Sequence, residues 1–338
     1  MRPVLLLSML FVCAAGCGTP SFLITPVADT YKLDEVRVEP GKSLFAGKVA
    51  IIPVEGLLSN SRDTGLLGLG SGENGMSLFT EELDRAAKDS SVKAVVLRVN
   101  SPGGTVSSSD AMYQMVVRFR QTTGKPVVAS IQEVGASGAY YVSCGADKIV
   151  AQPTSVVGSI GVIFETLEFE GTLAKLGIRA DAVKSGTLKD MGSPLKALEP
   201  NERAVMQEMI EEYFARFIHV VRTNRAITEP PSADIATYAQ APYEGVYSGR
   251  VYSGERGVAL GLVDQTGLLE DAIDLARQLS HSPDAEVIQY KRPYGDSGSI
   301  YADTDVQPPT AGVTRLELPG ADSMMLPGGF YFLWRAGL

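Results

Sequence analysis

Val134-Gly135-Ala136-Ser137-Gly138-Ala139-Tyr140-Tyr141 follows directly on the apolar run Pro126-Val127-Val128-Ala129-Ser130-Ile131. The run has the length and β-branched content of a buried strand, and the small residues after it mark a turn into a helix. One hydroxyl, that of Ser137, sits at this junction. The N–H groups at the start of a helix have no partner inside it, so they are available to a negative charge developing beside the serine. Ser137 is thus a candidate nucleophile. The plainer reading of such a stretch is close helix–sheet packing, and the octet alone does not choose between the two.

A similar junction stands just upstream. Val92 to Val99 reads as a strand, Asn100-Ser101-Pro102-Gly103-Gly104-Thr105 as a turn, and a helix with Met112, Met115, Val116 and Phe119 on one face runs to about Gln121. Its Gly-Gly pair can expose N–H groups to an anion or oxyanion, or can serve only the turn. Other expected strands are Lys48–Val54, Lys148–Ala151, Ile178–Lys184 and Glu286–Tyr290. Expected helices are Ser77–Ser90 with Ser77 as its cap, Leu167–Leu176, Glu202 to about Ala226 with Val205, Met209, Tyr213, Phe217 and Val220 or Val221 as its buried stripe, Gly254–Gly261 and Leu268–Leu279. Repeated strand-then-helix order predicts an α/β fold with a largely parallel sheet and C-terminal helices. Both junctions then fall at strand C-terminal ends, where open α/β sheets place their sites.

The 338 residues are 45% hydrophobic and 20% charged, enough for a sizeable core. A net charge of −9 without a basic run argues against nucleic acid as a partner. Two histidines, His219 and His281, and three cysteines, Cys13, Cys17 and Cys144, show no zinc-type spacing, so no metal or cofactor is expected. Met1-Arg2 and the apolar run to Val12 read as an export signal too short for a mature span. Ala14-Ala15-Gly16-Cys17 resembles a bacterial lipobox, making Cys17 the expected lipidation site. Gly18 follows, where an aspartate would hint at inner-membrane retention, so the expectation is an extracytoplasmic, lipid-anchored chain leaning to the outer membrane. The expected division is a signal peptide over residues 1–16, a tether over 17–44, a catalytic domain over 45–292 and a tail over 293–338.

A serine nucleophile needs a base. His219 falls off the apolar stripe of its helix and His281 lies near a helix end. A lysine can serve if desolvation lowers its pKa from roughly 10.4 to about 7 or 8. Lys189, in Ser185-Gly186-Thr187-Leu188-Lys189-Asp190-Met191-Gly192-Ser193, has the most suitable surroundings, ahead of Lys184 and Lys175. Asp190 beside it could hold it protonated.

Four segments, Asn100–Thr105, Gly135–Tyr141, Pro153-Thr-Ser-Val-Val-Gly-Ser-Ile-Gly-Val162 and Lys184–Asp190, stand in the order and spacing of the signal peptide peptidase A family. The resemblance covers about Gly47 to Tyr290 and is closest to the short form. It implies a Clp protease/crotonase-like fold and a Ser/Lys-dyad serine protease, with Ser137 as nucleophile and Lys189 as general base. It further implies oxyanion donors at Gly138 and at Gly103 or Gly104, and Ser159 as the hydroxyl that orients the lysine. Apolar peptides such as signal-peptide remnants are the implied substrates, with a homo-oligomer as the implied assembly. Ala139 departs from the family's usual glycine, and a lipobox replaces the usual transmembrane anchor. Four aromatics in Leu326-Pro-Gly-Gly-Phe-Tyr-Phe-Leu-Trp-Arg335 suggest core packing, a membrane-surface anchor, a groove occupant or, as the favoured reading, a subunit contact. A non-catalytic peptide-binding lipoprotein and an esterase are the competing functions.

Overall fold

The computed structural model describes residues 33–43, 46–61, 74–227, 245–292 and 329–334. Cys13, Cys17 and the lipobox lie outside the described residues, as do much of the glycine-rich loop after Gly56 and most of the tail. No helix among the described residues is long and apolar enough to cross a membrane.

The strands are β1 (Asp34–Glu39), β2 (Lys48–Leu58), β3 (Val92–Thr105), β4 (Val127–Ala136), β5 (Lys148–Ala151), β6 (Val156–Gly158), β7 (Ile163–Glu165), β8 (Val251–Ser253), β9 (Gln265–Thr266), β10 (Glu286–Lys291) and β11 (Gly329–Leu333). The helices are α1 (Gly75–Lys88), α2 (Val106–Thr123), α3 (Gly138–Ser143), α4 (Glu170–Lys175), α5 (Pro200–Asn224), α6 (Gly254–Ala259) and α7 (Leu269–Leu279). One sheet runs in the order β1-β10-β2-β3-β4-β5-β9, parallel throughout except for the β1–β10 pair. This is the α/β arrangement of the Clp protease/crotonase-like fold.

The central strands are buried on both faces, which is why they read as near-continuous apolar runs. In β3, Val95, Leu97 and Val99 face the larger core with Phe79, Met112, Val116 and Phe217, while Ala94 and Val96 face the smaller one. Leu269, Ala272, Ile273 and Ala276 of α7 cover that second face at helical spacing. Local chemistry sets the helix ends. Asn74, rather than Ser77, caps α1 by accepting from the Met76 and Ser77 N–H groups, and Thr105 caps α2. Gly124 ends α2 in the left-handed conformation at φ 67°.

Three expectations change. Residues read as tether contribute β1, whose edge pairing to β10 carries no long local period. Ile178–Lys184 forms no strand: it is exposed, with no strand among the described residues paired to its backbone. The buried face of α5 carries Phe217, Val220 and Val221 as expected but Met206, Phe214 and Ile218 in place of the half-buried Val205, Met209 and Tyr213, with His219 exposed as expected.

Candidate active site

The site lies where β3 and β4 end. β4 stops at Ala136, α3 begins at Gly138, and Ser137 makes the turn between them at φ 52° and ψ −116°. A non-glycine residue there carries strain on the order of 1–3 kcal/mol, tolerated only where surrounding contacts impose it. Two backbone bonds impose it here. The Ser137 N–H donates to Gly158 O at 2.8 Å, and Tyr141 N–H donates to Ser137 O at 2.9 Å. The first is continuous with the parallel β4–β6 ladder, which ends on the pair Ala136–Gly158. Ser137 is 1% exposed.

The small residues of the octet have steric reasons. A methyl group on Gly138 would overlap Ser109 Oγ and approach Phe332 O to 2.9 Å and Gly104 N to 3.1 Å. One on Gly103, itself at φ 104°, would overlap Phe332 O and reach within 2.7 Å of Gly138 N. The glycines of both junctions therefore enclose one small space. Within it the two candidate donors of the first junction separate. The Gly103 N–H donates to Ser101 Oγ at 3.1 Å, and Ser101 Oγ donates to Gly56 O at 2.6 Å. The nitrogens of Gly104 and Gly138 both border the space. With its own N–H engaged by Gly158, Ser137 adds no donor.

Ser159 follows the Gly158 that receives the Ser137 N–H, so the two serines are brought together through the backbone. It is buried, at φ 51°, and donates its N–H to Arg250 O at 2.8 Å. Lys189 is not brought to them. It lies in an exposed turn, its N–H donating to Gly186 O at 3.1 Å, and no hydrogen bond joins its ammonium to Ser137. The water-poor surroundings that a lysine base requires are absent around Lys189 within this one chain. Asp190 does not hold Lys189 either. Its carboxylate accepts from Lys184 at 2.7 Å and faces Lys196 at 3.5 Å, which hold it below the usual carboxylate range, the Lys184 bond first. Lys196 also pairs with the buried Glu202. Among the described residues Lys189 has no carboxylate partner.

Several residues of the site escaped the sequence reading. Tyr141 stacks on Phe332 at 5.1 Å between centroids and meets Phe217 at 4.9 Å and Tyr113 at 5.2 Å. The Tyr141 hydroxyl donates to Asp110 at 2.6 Å, and Arg216 holds that carboxylate at 2.8 and 2.9 Å. Burial and Asp110 push the Tyr141 phenol well up, so it stays protonated. Ser101 and Tyr141 were within quoted motifs, yet nothing local distinguished their roles. Cys144 is fully buried and burial pushes its thiol up to about 12, in line with an inert packing residue. Among the described residues no group of three acidic, histidine or cysteine side chains is placed to hold a metal.

Residues 119–282 match the family model Peptidase family S49, a span that includes Ser137, Ser159 and Lys189. A Methanocaldococcus jannaschii protein named as a protease is 38% identical over 208 residues, 62% of this chain and 63% of that one. An Enterococcus faecium protein named for signal peptide peptidase SppA is 35% identical over 261 residues, 77% of this chain and 71% of its own length. Protease 4 of Salmonella typhi is 34% identical over 281 residues, 83% of this chain but 41% of its own. The matched stretch thus spans less than two thirds of the first and third of these relatives.

Proposed function

Because this chain belongs to peptidase family S49, the family of the signal peptide peptidase A enzymes, we propose that it is a serine endopeptidase with a Ser137/Lys189 dyad. The observation that carries this reading is the strained Ser137 turn, set against a space bordered by the Gly104 and Gly138 nitrogens. That is the geometry acyl transfer needs: a nucleophile at a helix start and two donors where the carbonyl oxygen gains charge. In the proposed reaction neutral Lys189 accepts the Ser137 proton, the serine oxygen attacks a peptide carbonyl, and the lysine returns the proton to the departing amine. Water then hydrolyses the acyl ester. Ser159, beside Ser137, is the hydroxyl proposed to orient the lysine.

Lys189 must then reach a serine it does not touch within one chain. Residues 163–195 carry Ile163, Leu167, Phe169, Leu176, Ile178, Val183, Leu188 and Leu195 exposed to water, more apolar surface than a free monomer ordinarily shows. We propose a homo-oligomer in which neighbouring copies cover this arm, and in which Lys189 and Ser137 meet in a dehydrated site. Apolar peptides such as signal-peptide remnants are the proposed substrates. A lipid anchor at Cys17 on the outer face of a bacterial membrane, leaning to the outer membrane, is the proposed location, supported by the lipobox-like sequence.

The test is hydrolysis of a fluorogenic apolar peptide, together with labelling of Ser137 by a fluorophosphonate. Ser137→Ala is expected to abolish both, and Lys189→Ala to slow both by at least a hundredfold. Folded variants as fast as wild type would sink the proposal. A Cys17→Ser variant still incorporating labelled palmitate would separately remove the anchor.

A further inference from the structure

α3 has 6 residues, too few to hold a helical conformation without outside support. Its first helical bond runs from Tyr141 N–H to Ser137 O at 2.9 Å, so whatever fixes Tyr141 also fixes the carbonyl side of the strained Ser137 turn. Two tyrosine hydroxyls anchor this helix, in different ways. That of Tyr140 donates to Leu262 O at 2.8 Å inside the core. That of Tyr141 leaves the core and donates to Asp110 Oδ1 at 2.6 Å, the short distance of a bond to an ionised acceptor.

Asp110 lies in the second turn of α2 and serves two elements at once. Arg216 of α5 reaches it as a fork, Nε to Oδ1 at 2.8 Å and Nη2 to Oδ2 at 2.9 Å, a planar arrangement that lysine does not reproduce. A partly exposed aspartate–arginine pair is ordinary surface chemistry and by itself stabilises little. This one differs because the same carboxylate takes the hydroxyl of a fully buried tyrosine, which bonds Ser137 through its own backbone. The other end of α5 is tied as well. Glu202, buried in its first turn, pairs with Lys196, and the Lys196 ammonium lies 3.5 Å from the carboxylate of Asp190, the residue after Lys189. At 1.5 Å per residue, ~21 Å of helix separates Glu202 from Arg216. α5 thus joins the turn that bears Lys189 to the carboxylate that holds the serine helix.

We propose that Asp110 is a positioning residue of the peptidase: by receiving Tyr141 on one side and Arg216 on the other, it sets the Ser137 turn against the helix from which the Lys189 arm extends. The proposal rests on the peptidase reading above and adds to it a group that touches neither substrate nor the reacting atoms. A serine and its base work only when hydroxyl and amine come within hydrogen-bond reach, and a misplacement of about 1 Å costs on the order of a hundredfold in rate. Asp110 acts on that distance through Tyr141 and α5. Its loss therefore falls on proton transfer and acylation, and peptide binding is spared.

The test uses the full chain. Tyr141→Phe removes the hydroxyl and keeps the buried ring, Asp110→Asn keeps an acceptor for the hydroxyl but loses the charge that holds Arg216, and Arg216→Gln releases α5 alone. For each, kcat and KM on a fluorogenic apolar peptide are read with the rate of Ser137 labelling by a fluorophosphonate and with the melting temperature. All three are expected to lower kcat and the labelling rate about tenfold, with KM within about twofold of wild type. Tyr141→Phe combined with Asp110→Asn should lose little more than the larger single loss, because the groups act as a unit. Arg216→Lys, which keeps the charge without the fork, should recover part of the Arg216→Gln loss. Wild-type kcat and labelling in the folded variants would overturn the proposal while leaving the peptidase reading intact. So would a lowered melting temperature with kcat unchanged, the mark of a structural tie only, or a raised KM at unchanged kcat. Absence of hydrolysis and of Ser137 labelling in the wild type would instead fail the peptidase reading, and the role of Asp110 with it.

Discussion

Replacing Ser137 by glycine and by alanine should have different consequences for stability, although both variants lose the nucleophile. At φ 52° and ψ −116° the Cβ of any L residue crowds its own backbone, at a cost on the order of 1–3 kcal/mol. Alanine keeps that Cβ and glycine does not. The hydroxyl contributes no helix-capping bond that would confuse the comparison. Glycine has its own cost of roughly 0.5–1 kcal/mol in chain entropy, so Ser137→Gly should exceed Ser137→Ala by about 0–2.5 kcal/mol. At about 2–4 °C per kcal/mol for a domain of this size, the melting difference reaches up to about 10 °C. Urea unfolding of both variants measures it, with Gln114 as control. Gln114 is exposed within α2, and there glycine should be less stable than alanine by about 0.8–1 kcal/mol. If alanine exceeds glycine at position 137 as it should at Gln114, the turn is not strained and the argument for an imposed nucleophile geometry falls.

Gly138→Ala forces a methyl to within 2.9 Å of Phe332 O and 3.1 Å of Gly104 N, backbone atoms that cannot rotate away. A loss of about 1–3 kcal/mol in stability and of roughly a hundredfold or more in kcat/KM is expected, and a rate near wild type would remove Gly138 as a donor. Asp89 titrates at about 2: burial raises it, but the Ser91 hydroxyl and N–H and the Lys48 ammonium outweigh burial. Because its folded pKa is depressed, its contribution is complete above about pH 4 and is lost as pH falls toward 2. Asp89→Asn should therefore flatten the acid limb of stability by about 1 kcal/mol, after discounting for solvent screening, in urea midpoints taken between pH 2 and 6. Leu176→Glu combined with Val183→Glu, both exposed on the arm, should lower the mass seen by light scattering and the peptidase rate together. Unchanged mass with full activity would contradict the assembly.

The parallel sheet was legible because each central strand is buried on both faces and announces itself as a local apolar run. The helices followed from apolar spacing and from caps within a few residues, although Asn74 took the capping role expected of Ser77. Edges and alternations read less well. Ile178–Lys184 alternates like a strand but pairs with no strand among the described residues, and β1 finds a partner in β10 without advertising it. The serine and both glycine junctions were visible as motifs, since close backbone approach demands small residues in short runs. The packing of Tyr141 and Phe217 on Phe332 was not visible, because that ring comes from the opposite end of the chain.

By itself the sequence determined the fold class, the family and the candidate chemistry at Ser137, all written in local period and motif. Tertiary structure alone decided that Gly103 turns its N–H to Ser101 while the Gly104 nitrogen borders the site, that Asp190 is taken by Lys184 and Lys196, and that Lys189 stands in water apart from Ser137. It also decided that β11, from the far end of the chain, pairs between the end of β3 and β7. The physical reason is common to all of these. Hydrogen-bond choice, desolvation and strand addition depend on which distant groups meet, and no local pattern of residue types encodes that meeting.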